Sequence, residues 1–158
     1  MLSVHRINLK TLLISLAISV GTGLLSGLIS MSGMGSFDSV IQPPLAPPAF
    51  LFPIVWTILY LLMGISAYIV WESDSENKQK ALTIYAVQLV VNFFWSIIFF
   101  NLENYLLALV WIILLWVLII IMIYEFSKVS KLSAVLQIPY LLWVTFATYL
   151  TFGIFLLN

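Results

Sequence analysis

Residues 50–71 read FLFPIVWTILYLLMGISAYIVW, and their length and composition decide the fold. The stretch holds no Asp, Glu, Lys or Arg, and it matches the roughly 20 apolar residues needed to cross the hydrocarbon core of a bilayer. Four more stretches of the same kind accompany it, at about 12–31, 82–100, 105–124 and 136–157. An unpaired backbone N–H or C=O in hydrocarbon costs several kcal/mol, so each stretch is predicted to be an α-helix. Barrel strands would alternate polar and apolar residues over about 10 positions, and these stretches are uniformly apolar. The whole chain is 63% hydrophobic and 8% charged, against about 25% charged in soluble domains, so a soluble fold of this size could not cover its surface. The expectation is one all-α membrane domain over residues 1–158, a five-transmembrane-helix bundle embedded in the lipid bilayer, with no repeat and no appended domain.

The connectors set the orientation. Arg6 and Lys10 precede the first span, Lys78 and Lys80 lie between the second and third, and Lys128 and Lys131 between the fourth and fifth. These are all six of the lysines and arginines, and they fall on one side. By the positive-inside rule that side is cytoplasmic. The N-terminus is therefore expected inside, with the Pro- and Gly-rich connector 32–49 and the C-terminus outside. The apolar part of the first span exceeds the 7–15 residues usual for a signal peptide, and no A-x-A site follows it. It therefore reads as a retained helix. No transit-peptide character precedes it, and the basic residues beside the spans point to a bacterial plasma membrane.

Composition also removes whole classes of chemistry. Cysteine is absent, which excludes disulfides, thiolate catalysis and Cys-ligated metals. The one histidine, His5, lies in the polar N-terminal segment. A Ser–His–Asp triad within the membrane is thereby excluded, and a haem there would have only Tyr or Met to ligate it, whereas His or Cys is the usual choice. No metal site is expected. Proton relays and voltage sensors need ionisable groups at membrane depth, and the spans have no acid or base. Nothing is basic enough to suggest nucleic acid.

Polar and aromatic residues within the spans mark the faces that turn inward. Ser15, Ser19, Gly23 and Gly27 recur every four residues, a small-residue ridge that lets backbones approach closely in lipid. Packing within the bundle is the favoured reading of this ridge, and a homodimer seam the alternative. Pro53, Trp56, Tyr60, Gly64, Tyr68 and Trp71 share a face of the second helix, as do Tyr85, Gln88, Asn92 and Ser96 on the third, with Trp95 beside them. Buried amides must be hydrogen-bonded, so the third-helix face is expected to point inward. Interhelical glue and the lining of a pocket remain equally open for it. The fourth helix has no polar stripe and is expected to face lipid over much of its surface, with Trp111 and Trp116 as packing residues. On the fifth, Pro139, Trp143, Ala147 and Leu150 fall at steps of four, four and three. Ala147 between larger neighbours leaves room for something flat, or for another helix. Aromatics, amides and hydroxyls around a small-residue gap suit a flat apolar ligand held by stacking and a few hydrogen bonds.

Three segments carry a family resemblance. Residues 47–60, PPAFLFPIVWTILY, continue through Met63-Gly64 to Trp71; residues 88–96 read QLVVNFFWS; residues 139–150 read PYLLWVTFATYL. In this order, and over nearly the whole chain, they resemble the translocator protein family (TspO/MBR), also called tryptophan-rich sensory proteins or peripheral-type benzodiazepine receptors. The resemblance implies a five-helix bundle whose first loop covers an internal ligand pocket. It implies a receptor or translocator for porphyrins, with sterols in animal members and synthetic isoquinoline and benzodiazepine compounds as further ligands. Carried over by motif, the pocket would use Trp56, Tyr60, Gln88, Asn92, Trp95, Ser96, Trp143, Ala147 and Leu150, with Pro47 and Pro48 in the covering loop. No cofactor is required; porphyrin enters as ligand. The alternative the resemblance offers is an enzyme in which porphyrin is the substrate of a metal-free, light-dependent degradation, with Trp56 and Trp143 as the reactive groups.

The chain departs from the family pattern in the first loop. Ser36 and Phe37 stand where the family has a Trp-Tyr pair, and Gln42-Pro43-Pro44-Leu45 where it has Lys-Pro-x-Trp. The loop therefore lacks the family's cation. No Lys or Arg follows Tyr149, so the sterol motif of animal members is incomplete. Leu118, Tyr124 and Lys128 match its loose form, which is too permissive to carry weight.

Overall fold

The computed structural model describes residues 6–158; His5 lies outside them. Among the described residues the chain is all helix and turn. Its order is α1 (Leu9–Ser30), a 3-10 segment (Met31–Ser39), α2 (Leu51–Trp71), α3 (Lys78–Ser96) with a π turn (Ile97–Asn101), α4 (Tyr105–Val129), α5 (Lys131–Leu136) and α6 (Ile138–Leu157). Five helical units are long and apolar enough to cross a membrane, α5 and α6 together making the fifth. The protein is an integral membrane protein.

Local chemistry explains most boundaries. Asn8 caps α1 by accepting from the Thr11 N–H at 3.3 Å, and Asn104 caps α4 by accepting from the Leu107 N–H at 3.1 Å, each satisfying a donor that the first turn leaves free. Pro139 explains the break before α6: it has no N–H to give and its ring crowds the carbonyl one turn back, so Gln137 steps out of the helix between α5 and α6. Two boundaries differ from the sequence reading. The first helix does not end at residue 31 but tightens into 3-10 turns through Ser39, taking up half of the expected connector. The fourth, read from sequence as 105–124, continues to Val129, because Glu125 just beyond that stretch is buried and bridged to Lys80 and Lys128 at 3.3 Å each.

The helices close a ring in the order α1, α2, α5/α6, α4, α3. On α1 the buried residues are all serines, Ser15, Ser19, Ser26 and Ser30, while Leu13, Leu24, Leu25 and Leu28 are exposed. This inverts the soluble pattern, as it should where lipid is as apolar as leucine and close approach is what joins helices. Ser15 Oγ donates to the Gly64 carbonyl at 2.7 Å and Ser26 Oγ to that of Phe93 at 2.9 Å. A Cβ on Gly64 would press into Ser19 and Leu16, and one on Gly23 into the Tyr60 ring. The ridge is thus occupied by α2 along most of its length, while Gly27 meets nothing.

On α4, Ala108, Ile112, Leu115, Ile119, Met122 and Phe126 are fully buried, and Val110, Ile113, Leu114, Val117 and Ile121 face outward. Trp111 donates to the Val91 carbonyl and Trp116 to Thr145 Oγ1, both at 2.8 Å, binding α4 to α3 and α6. The cationic connectors share one end of the bundle. At the other, Asn158 Nδ2 donates to the Ile41 carbonyl at 2.9 Å, tying the C-terminus to the loop.

Gly64→Val forces branched carbons into the α1–α2 contact. It is expected to destabilise the bundle by about 1–3 kcal/mol, read as a lowered midpoint of thermal unfolding in detergent, whereas Gly27→Ala, whose methyl group meets nothing, does not lower that midpoint.

Candidate functional site

Because α1 and α2 touch at Ser15, Ser19 and Gly64, the gap between them opens toward the loop end. A cavity of about 730 Å³ fills it, inside the range of about 300–1,000 Å³ usual for small-molecule sites. Its walls are Gly23, Leu24, Gly27 and Leu28 of α1; Phe52, Pro53, Trp56, Thr57 and Tyr60 of α2; Asn92, Trp95 and Ser96 of α3; and Ala147, Leu150 and Thr151 of α6. Phe37 and Asp38 of the 3-10 segment, with Gln42, Pro43 and Ala46 of the loop, close the end. Leu24 and Leu28 on one side and Pro53 and Thr57 on the other both line the cavity and reach the outer surface, so its mouth lies between α1 and α2.

The floor is a chain of polar groups. The Tyr60 hydroxyl donates to Asn92 Oδ1; Asn92 Nδ2 donates to the Tyr140 hydroxyl at 2.7 Å; that hydroxyl donates to Gln88 Oε1 at 2.7 Å. Each member is more than nine-tenths buried. The chain runs from the cavity into the core and fixes the Asn92 amide with its oxygen toward Tyr60. The upper wall is aromatic. Trp56 lies 5.6 Å from Tyr60 between ring centroids, Trp95 stacks on Phe99 at 5.2 Å, and Phe37 packs against Phe52, Phe99 and Phe100 at 5.8–6.1 Å. The buried Trp95 indole N–H has no hydrogen-bond partner within the protein.

The structure brings together seven of the residues singled out from sequence: Trp56, Tyr60, Asn92, Trp95, Ser96, Ala147 and Leu150. Four others lie off the cavity wall. Gln88 is fully buried one turn below, engaged by Tyr140. Trp143 faces a separate outer crevice of about 400 Å³ between α2 and α6, formed with Val55, Ile58, Leu59, Pro139, Leu142 and Phe146. Its ring stands behind Phe52, 5.8 Å away. The register explains this: Trp143 and Ala147 are four residues apart, but the bulk at 143 fits only outside the seam that Ala147 leaves open. Pro47 and Pro48 do not line the cavity, and the loop meets it through Gln42, Pro43, Ala46 and Ala49 instead.

Sequence reasoning missed the α1 wall, the Phe37–Phe52 lid and Tyr140. The signal for α1 was present, since glycines that pack nothing leave space. Tyr140, three residues before Trp143, carried no mark that set it above its neighbours.

Removing Asn92 strands the Tyr60 hydroxyl, whereas Tyr140 keeps Gln88 as its acceptor; removing the Tyr140 hydroxyl strands both Asn92 Nδ2 and Gln88 Oε1. Each variant is expected to destabilise the protein by about 1–3 kcal/mol, with Tyr140→Phe costing more than Asn92→Leu because it leaves two buried groups unpaired instead of one. Thermal unfolding of the two purified variants checks the order.

Comparison with known proteins agrees with this architecture. The chain matches the TspO/MBR family over residues 13–157. It is 44% identical over 125 residues to the tryptophan-rich protein TspO of Archaeoglobus fulgidus, covering 77% of this chain and 79% of that one. It is 40% identical over 126 residues to the protein of the same name from Chlorobaculum tepidum, covering 77% and 78%. With protein CrtK of Rhodobacter capsulatus it shares 38% identity over 124 residues, covering 77% and 78%. A five-span bundle, a Trp- and Phe-walled gap beside α2, and a family match along almost the full length lead to one statement: the chain belongs to the TspO/MBR family.

Proposed function

We propose that this protein is a membrane receptor or translocator that takes a planar, largely apolar molecule of the porphyrin class into the cavity between α1, α2, α3 and α6. The observation that carries the reading is the cavity itself, about 730 Å³ with indole and phenyl walls and a fixed Tyr60–Asn92 pair at its floor. Aromatic walls gain from offset stacking on a flat guest, and few polar groups at defined positions then orient it. Trp95 offers a donor that no protein group uses. The names of relatives add to the reading, since one is a tryptophan-rich sensory protein and another a translocator protein.

A porphyrin seated there quenches tryptophan fluorescence. Protoporphyrin or its dimethyl ester is expected to quench saturably, and Ala147→Phe, which fills the gap beside Leu150, to weaken binding at least tenfold, or about 1.4 kcal/mol. Equal affinity in both proteins would remove the cavity from the site. Trp143→Ala is expected to have a smaller effect, acting through Phe52.

Light-driven breakdown of the bound pigment is the second reading, and Trp56 favours it because its indole lines the cavity. Trp143, with Phe52 between it and the cavity, is the weaker candidate for the reacting group. Illuminating the complex in air and following porphyrin absorbance separates the readings. Loss no faster than in Trp56→Phe counts against catalysis.

We further propose that the lysine-rich end is cytoplasmic and the cavity end outside, in a bacterial plasma membrane. The chain has no cysteine, so single cysteines report cleanly. An impermeant maleimide added to intact cells is expected to label Ser39→Cys and to leave Ser75→Cys unlabelled.

A further inference from the structure

The cavity is electrostatically one-sided. Lys78, Lys80, Lys128 and Lys131 stand with Arg6 and Lys10 at the end of the bundle where α1, α3 and α5 begin, and two of them are engaged by Glu125. The cavity lies toward the opposite end, under the 3-10 segment. Among the described residues that line it, Asp38 is the single charged side chain. Asp38 is exposed and makes no ion pair or side-chain hydrogen bond with any described residue. The other polar side chains around the cavity, such as Ser26, Gln42, Thr57, Tyr60, Asn92, Ser96 and Thr151, are neutral.

We propose that Asp38 biases the cavity by charge: among planar guests of one macrocycle, an anionic edge is held less tightly than a neutral or cationic one. This rests on the planar-ligand reading and names its chemical class. A carboxylate brought under the 3-10 segment would surrender part of its hydration, would find no cation to pair with, and would face a like charge beside walls of low polarisability. The basic end cannot compensate. α2 alone runs 21 residues, about 30 Å, and charges that far apart are screened beyond a Debye length of about 8 Å. A tertiary amine or ammonium on the guest's rim would meet Asp38 directly. Because Asp38 is wet, the preference is moderate, about tenfold in Kd for a ligand with its charged rim beside Asp38, or about 1.4 kcal/mol.

The test uses the full-length protein in nanodiscs of neutral lipid and three porphyrins that share one macrocycle: protoporphyrin with both carboxylates free, its dimethyl ester, and a bis-amide bearing tertiary amines. Tryptophan quenching gives Kd for wild type, Asp38→Asn and Asp38→Lys. Comparing one ligand across variants cancels its partition into lipid. Asp38→Asn is expected to tighten the diacid about tenfold, to weaken the amine by a similar factor and to leave the ester unchanged; Asp38→Lys carries both trends further, and high salt compresses them. A diacid affinity that is the same in wild type and Asp38→Asn overturns the proposal while leaving cavity binding intact. Absence of saturable quenching by all three removes both this proposal and the reading beneath it.

Discussion

The contact of Ser15 and Ser19 with Gly64 governs the rest of the molecule. Lipid supplies no hydrophobic drive between helices, so association relies on close packing and on hydrogen bonds across the seam. The Ser15 hydroxyl reaches the Gly64 carbonyl at 2.7 Å because neither helix carries a side chain to hold them apart. One tight point on two long rods leaves them free to diverge elsewhere. Gly27 and Ala147 place no bulk in the widening gap, and Phe37, Phe52 and the loop roof it. Small residues therefore bind the bundle at one level, through Ser15, Ser19 and Gly64, and hollow it at another, at Gly27 and Ala147.

The buried polar chain follows from a second constraint, that amides and hydroxyls at membrane depth need partners. Tyr60, Asn92, Tyr140 and Gln88 satisfy one another across α2, α3 and α6. Such a chain specifies which faces meet, since rotating α2 would break one of its bonds, α6 two and α3 all three. It also settles a question that spacing left open, for the third-helix amides are both glue and wall: Gln88 serves the core, and Asn92 serves the core and the cavity.

The five spans were legible because the constraint behind them is coarse: length, apolarity and the lack of charge. The side of each helix that faces inward was readable wherever a polar residue at membrane depth demanded a partner, as for Asn92 and Tyr60. What periodicity could not supply was depth along and around the helix. Trp143 and Gln88 sit at proper spacings but lie, respectively, outside the seam and below the cavity floor. A tryptophan's preference for packing is met on either side of a helix pair, so its spacing alone does not choose between them. The α1 wall was read as a packing ridge, or alternatively a dimer seam, because a glycine that fits against a neighbour and one that faces empty space look alike in a sequence.

The π turn at the end of α3 has a mechanical consequence. Asn101 Nδ2 reaches the Ile29 carbonyl at 3.0 Å and Ser32 Oγ at 3.3 Å, and Gly33 lies against the Phe100 carbonyl. The outer ends of α1 and α3 are thereby riveted into one rigid strut. The first turn of α2 has no side-chain cap and follows a proline-rich lead-in. Of the two helices that border the mouth, α1 is therefore the one tied down at its outer end, and α2 starts there with no side-chain cap.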